Sequence, residues 1–123
     1  MLNFQQVGYQ LAKLSVVDGR DRSDKSSLAV WHELLSHLPY WAVDEAVTKC
    51  LRDSSLTWYR PAHVIEYAEA AVADAERVRM LLEKRGISIP HGIEMNAEVR
   101  ANYRTQIRGW NAEHRNAEIE APE

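Results

Sequence analysis

Apolar residues recur at steps of three and four along most of this chain, and this spacing constrains the fold more than any other feature of the sequence. Such steps place apolar side chains on one face of an α-helix. No stretch alternates apolar and polar residues for more than a few positions, as a half-buried strand would. The helical pattern fills five segments, separated by proline, glycine or clustered polar residues. The sequence therefore predicts an all-α fold, a small helical bundle.

Three short helices are predicted before residue 53. Their predicted bounds are 3–17 with Asn3 as N-cap, Ser23 or Asp24 to Pro39, and about 40–52. Their apolar faces hold Phe4, Val7, Leu11 and Leu14, then Leu28, Trp31, Leu35 and Leu38, then Val43, Ala46, Val47 and Cys50. The link between the second and third helices is very short, which predicts an antiparallel helical hairpin.

A connector at 53–60 and a long fourth helix follow. In the connector, Trp58-Tyr59-Arg60 is interpreted as a lid on the core or as an exposed hot spot, and we favour the lid. Pro61 occupies the favoured first position of the fourth helix, and Gly86 ends it. One face of this helix has the spacing of a coiled-coil seam and consists of Val64, Ala68, Ala71, Ala75, Val78 and Leu82. The seam packs against the protein's own helices or forms a homodimer, and the first alternative is favoured.

The C-terminal part predicts a separate binding element. An irregular linker at 86–92 precedes an amphipathic helix from Asn96 to about Asn111, and 113–123 form a polar tail. We therefore divide the chain into a scaffold domain, 1–86, and a C-terminal region, 87–123. The amphipathic helix carries a predicted partner-binding stripe of Arg100, Tyr103, Arg104, Ile107, Arg108 and Trp110. The alternative is a solvated face whose arginine stems cover the apolar residues.

No catalytic or metal-binding pattern is evident. His32 and His37 are five residues apart, which separates them by about 140° on a regular helix, so both rings cannot reach one zinc ion. Cys50 has no partner for a disulfide and lies on a predicted core face. Glycine-rich loops that cradle phosphates are missing as well. We expect a non-enzymatic protein without a cofactor or metal ion.

Charge and hydropathy narrow the classes of partner. The chain has 15 basic and 18 acidic side chains, a net charge of −3, whereas proteins that bind duplex DNA usually carry net positive charge. No segment approaches the roughly 18 apolar residues of a membrane span. The expectation is a cytoplasmic protein without a membrane contact.

Four short stretches resemble the phage replicative helicase loader and inhibitor family. They are Ala29–Leu35 (AVWHELL), Leu38–Tyr40 (LPY), Ala46–Val47 (AV) and Trp58–Ile65 (WYRPAHVI). The resemblance covers about residues 4–70. It implies a compact helical N-terminal domain and a C-terminal region that engages the hexameric replicative helicase. It also implies a phage origin and a location in the host cytoplasm. The matching positions, implied to be scaffold residues, are Trp31, Leu35, Pro39, Tyr40, Ala46, Val47, Pro61 and Ile65.

The leading hypothesis is an adaptor of phage replication that binds a host DnaB-type replicative helicase through the stripe at 96–112, and contacts nucleic acid only indirectly. One alternative is a small helix-turn-helix regulator built from the 40–52 helix, the connector and the helix from Pro61. Its weakness is charge, because the start of its recognition helix holds Glu66 and Glu69 and no lysine or arginine after Arg60. A second alternative is an inhibitor of another host protein.

Overall fold

A computed structural model describes residues 2–120 of the chain, with side chains up to residue 115. Five α-helices and no strand lie within the described residues, which confirms the all-α prediction, including the long fourth helix and the C-terminal helix. The helices are α1 (Phe4–Asp18), α2 (Lys25–Leu35), α3 (Tyr40–Arg52), α4 (Pro61–Lys84) and α5 (Ala97–Glu120).

The chain divides into two compact units. The N-terminal unit is Met1–Ala73 and the C-terminal unit is Asp74–Glu123, so the division falls inside α4, whereas the sequence analysis placed it at residue 86. The physical reason is that α4 serves both units. Its first half buries apolar residues in the N-terminal core, while its second half exchanges hydrogen bonds with α5. An apolar pattern that continues without a break gives no sign of such a division.

The ends of the first two helices follow from local hydrogen bonds. Asn3 caps α1 in a capping box with Gln6, and Gly19 ends the helix with a positive φ of 74° that favours glycine. Asp24, one of the two predicted caps, accepts the Ser27 N–H at 3.0 Å at the start of α2. Helix α2 ends at Leu35, although Leu38 beyond it is still buried.

The core of the N-terminal unit forms where α1 packs against both α2 and α3. Helices α1 to α3 and the first half of α4 all contribute, and the fully buried side chains of this core include Val7, Leu14, Leu35, Val43, Val47, Cys50 and Val64. Phe4 departs from its predicted place, because 53% of it is exposed and its ring stacks on His32 with centroids 4.2 Å apart. Phe4 is the first residue of α1, and its ring packs against α2 at the edge of the core.

A buried polar cluster fixes the connector. Asp18 accepts hydrogen bonds from the Arg22 guanidinium at 2.5 Å and from the Tyr59 N–H at 3.0 Å, and Arg22 donates to the Tyr59 carbonyl at 2.8 Å. The side chains of Asp18 and Arg22 are 2% and 7% exposed. The hydrogen bond from Arg22 holds the pKa of Asp18 well below its usual range. We call these three residues the Asp18 cluster; it ties the end of α1 to the segment before α4.

Helix α5 and the second half of α4 are joined by polar contacts within the C-terminal unit. Asp74 binds Arg100 and Arg104, and Arg85, directly after the end of α4, donates to Asn111 farther along α5 at 2.9 Å. Because these contacts occur in the same order along each helix, the two segments run parallel, and the linker at 85–96 returns the chain to the start of α5.

The polar tail predicted for 113–123 is helical as far as the structure describes it. Helix α5 continues to Glu120, well past the predicted end at Asn111, and residues 121–123 lie outside the described residues. No glycine or proline occurs between Gly109 and Pro122, so the sequence holds no helix-stopping residue in this stretch.

The substitution Asp18→Asn should lower the free energy of unfolding of the N-terminal unit by about 3 kcal/mol, because it leaves the buried Arg22 guanidinium without its counter-charge. Urea denaturation followed by circular dichroism at pH 7 measures this loss. The control is Asp21→Asn, an exposed position in the same loop, for which we expect a change within about 1 kcal/mol. Equal effects of the two substitutions would contradict a stabilising role for the buried pair.

The Asp18 pair should also make stability depend on pH. Since folding lowers the pKa of Asp18, its contribution is complete above the ordinary aspartate value of about 3.9 and is lost as the pH falls towards the folded value. The difference in unfolding free energy between the wild type and Asp18→Asn should therefore narrow below about pH 4. A difference that stays constant from pH 7 to pH 2.5 would contradict this assignment.

Candidate functional site

The six residues of the predicted partner-binding stripe do not form one exposed surface. Arg100 and Ile107 are buried, with 5% and 6% of each exposed. Tyr103, Arg104 and Trp110 are half-buried. Arg108 is the exposed member of the arginine series, and among the described side chains it donates to Thr105 of its own helix at 3.1 Å. The stripe therefore divides into residues that build the C-terminal unit and residues that remain at its surface.

Two of the three arginines are held by Asp74. The Arg100 Nε donates to one carboxylate oxygen of Asp74 at 2.8 Å, and Arg104 donates to the other oxygen. Arg100 also donates to the Met95 carbonyl at 2.9 Å. The hydrogen bonds from Arg104 and Arg100 lower the pKa of Asp74. These two arginines stabilise the C-terminal unit and are not available as free cations for a partner.

The aromatic end of the stripe has its own contacts. Trp110 stacks on His114, with ring centroids 3.7 Å apart, and the Arg85 guanidinium carbon lies 5.4 Å from the Trp110 centroid. Tyr103 lies seven residues before Trp110, on the same face of α5, and is half-buried. Part of each aromatic side chain thus remains accessible, on the opposite flank of the packed face of α5 from the exposed Arg108.

The α4 seam is buried along its whole length. Its six side chains, Val64, Ala68, Ala71, Ala75, Val78 and Leu82, are each between 0% and 7% exposed. The interpretation that the seam packs within the chain accounts for this burial. A homodimer through the same residues would require them to become exposed first.

The histidines and the cysteine do not converge. His32 Nε2 lies 2.9 Å from the Leu2 carbonyl oxygen, whereas His37 Nε2 lies 3.3 Å from a Glu69 carboxylate oxygen. Within the described range, no group of three or more His, Cys, Asp and Glu side chains is placed to hold a metal ion. Burial raises the pKa of the Cys50 thiol to about 11, which makes it a weak nucleophile at neutral pH.

The connector holds a surface feature that sequence reasoning assigned differently. Tyr59 is the lid residue, 4% exposed and part of the core, while Trp58 is only half-buried. The guanidinium carbons of Arg20 and Arg60 each lie 4.2 Å from the centroid of the Trp58 ring. Among the described residues, no carboxylate lies within ion-pair distance of either guanidinium. We call Arg20, Trp58 and Arg60 the Trp58 cluster.

A groove lies between α1 and α2 in the same unit. Its volume is about 460 Å³, and its lining consists of Gly8, Leu11, Ala12, Ser15, Asp21, Arg22, Ser23 and Leu28. Gly8 opens it, since a Cβ atom there would lie 3.9 Å from Leu28 Cδ1. Val16, one turn after Ala12 on α1, is 85% exposed. The sequence signal for this groove is the pair of small residues Gly8 and Ala12, which do not belong to the apolar stripe of α1.

Comparisons with known proteins give no relative. No family model, no curated protein and no solved structure matches this chain. Among the helices of the described residues, none has the length and apolar character needed to cross a membrane.

The division of the arginine stripe can be tested by paired substitutions. Arg100→Met should lower the free energy of unfolding of the C-terminal unit by about 2 kcal/mol, because it removes a donor from Asp74 and from the Met95 carbonyl. Arg108→Met should change it by less than about 0.5 kcal/mol. Hydrogen exchange of the α5 amides reports both effects, and equal exchange rates in the two variants would refute the distinction.

Proposed function

We propose that this chain is a non-enzymatic adaptor of phage replication that binds a host DnaB-type replicative helicase. The observation that carries the proposal is the extent of the N-terminal unit. This unit, Met1–Ala73, coincides with residues 4–70, over which the sequence resembles the helicase loader and inhibitor family. A stretch that resembles a domain and also folds as a compact unit supports a shared scaffold.

The resembling residues also have structural roles in that unit. Trp31, Leu35, Ala46 and Val47 are all buried in its core. Two of the other resembling positions lie at helix starts, since Pro39 is the N-cap residue of α3 and Pro61 is the first residue of α4. Tyr40 accepts a hydrogen bond from the buried Gln10 at 3.0 Å. Residues that determine packing and helix boundaries are those that a common fold would need, which further supports the proposal.

The resemblance implies that the C-terminal region engages the helicase, and the structure narrows the residues for such a contact. Tyr103, Arg108 and Trp110 keep accessible surface, whereas Arg100, Arg104 and Ile107 stabilise the C-terminal unit. Aromatic residues and arginine are enriched at protein interfaces and are frequent hot spots. The proposed contact therefore has two flanks, Tyr103 and Trp110 on one side of α5 and Arg108 on the other, and the partner spans the exposed side of the helix between them.

Calorimetric titration of the full chain into purified hexameric helicase tests the proposal. The wild type should bind, and Arg108→Glu and Trp110→Ala should each weaken the binding by about tenfold or more. The control is Arg52→Glu, which changes an exposed arginine of the N-terminal unit by the same charge and should leave the affinity unchanged. Binding should also alter the ATPase rate of the helicase, upwards or downwards. A wild-type chain that does not bind the helicase would overturn the proposed function.

A further inference from the structure

The Trp58 cluster concentrates positive charge that the N-terminal unit does not neutralise. The guanidinium carbons of Arg20 and Arg60 each lie 4.2 Å from the centroid of the Trp58 ring. The two guanidinium groups are therefore less than about 9 Å apart. The ring attracts each cation through its quadrupole but carries no net charge. No described carboxylate pairs with either arginine. An anionic group placed against either guanidinium would therefore gain charge-assisted hydrogen bonds.

The backbone of the cluster is fixed before any partner arrives. The Arg20 N–H donates to Asp18 at 3.0 Å, and the Arg60 N–H donates to His63 Nδ1 at 3.1 Å. Tyr59, which precedes Arg60, is held at both its N–H and its carbonyl by Asp18 and Arg22. Because the backbone is already ordered, binding at this surface costs less conformational entropy than binding at a mobile loop.

The groove between α1 and α2 adjoins the Trp58 cluster through the loop at 19–24. Asp21, Arg22 and Ser23 of this loop line the groove, and Arg20 of the same loop belongs to the cluster. The carboxylate of Asp21 already accepts the Ser23 N–H at 2.9 Å and the Ser23 hydroxyl at 2.6 Å. A volume of about 460 Å³ falls within the range of specific small-ligand pockets. Cationic and largely apolar surfaces thus lie side by side.

We infer that this surface binds a helical segment of a protein partner that presents an acidic side chain beside apolar ones. The carboxylate contacts Arg20 and Arg60, and an apolar side chain enters the groove beside Ala12 and Leu28. The inference rests on the proposed function only for the identity of the partner protein. It adds a second contact, in the N-terminal unit, to the contact proposed for α5.

A protein segment fits the surface better than nucleic acid does. Sites for single strands combine an extended positive groove with aromatic rings on which bases stack. Here the chain has a net charge of −3, and Asp21 and Asp24 are exposed in the loop beside Arg20. Two guanidinium groups already lie against the Trp58 ring, where a base would stack. The local charge suits one or two carboxylates rather than a long polyanion.

A designed peptide provides the probe. It is a helical peptide with leucine and glutamate residues four apart, compared with a matched peptide in which glutamine replaces every glutamate. Titration into the isotope-labelled full chain, followed by NMR, should shift the side-chain N–H signals of Arg20, Trp58 and Arg60 and the methyl signals of Leu28. The glutamine peptide should bind at least about fivefold more weakly, since it lacks the charge-assisted hydrogen bonds.

Two kinds of variant test the two parts of the surface. The double substitution Arg20→Gln with Arg60→Gln should weaken peptide binding by about tenfold, with Arg52→Gln as the control for a lost surface arginine. Gly8→Leu should weaken it similarly, because the new side chain occupies the groove. A Cβ atom at Gly8 meets Leu28 at an ordinary contact distance, and leucine favours the helix more than glycine does, so this variant is expected to fold.

The outcomes separate this inference from the proposed function. Peptide shifts at the named residues, lost in both kinds of variant, support the inference even if the wild type fails to bind the helicase. Absence of shifts at these residues overturns it, even if the helicase binds normally. A twelve-residue oligothymidylate that shifts the same signals at lower concentration than the acidic peptide would also overturn it, in favour of a nucleic-acid site.

Discussion

The buried ion pair between Asp18 and Arg22 is the interaction on which the N-terminal unit's surface depends. It lies where the end of α1, the following loop and the connector meet, and it binds both peptide groups of Tyr59. Tyr59 then closes the core, which directs its neighbours Trp58 and Arg60 to the surface beside Arg20. A buried pair of this kind adds little net stability compared with apolar packing, but breaking it is costly. Its effect is to select one geometry for the loop and the connector.

The C-terminal unit uses a carboxylate in a comparable way. Asp74 lies on α4, 26 residues before Arg100, and its two oxygens receive one arginine each. Arginines at four-residue spacing necessarily share an edge of a helix, but the spacing does not tell which of them face a carboxylate on another helix. The position of Asp74 makes Arg100 and Arg104 structural and leaves Arg108, one turn farther along, in solvent. Arginines at one regular spacing thus include two that pack within the unit and one that is exposed to solvent.

The sequence predicts the helices well because periodicity and helix-stopping residues are local signals. Asn3, Asp24 and Pro61 occupy the helix-start positions predicted for them. It predicts less where the outcome depends on distant residues. Trp58 and Tyr59 are adjacent aromatic residues in a connector, and Tyr59 is the buried one. Its N–H donates to Asp18 and its carbonyl accepts from Arg22, both about 40 positions earlier in the sequence. The groove is missed for another reason, since Gly8 and Ala12 mark it by lacking side-chain volume.

The described arginines include buried ones that hold the fold and exposed ones that lie at the surface. Arg22 and Arg100 are buried and bound to the carboxylates of Asp18 and Asp74, so each holds its own unit together. Arg20 and Arg108 lie two and eight residues from them in sequence and are exposed. Substituting an exposed arginine therefore alters the surface while the buried pair keeps the backbone in place. The charges that fix the fold are thus separate from those that face the solvent.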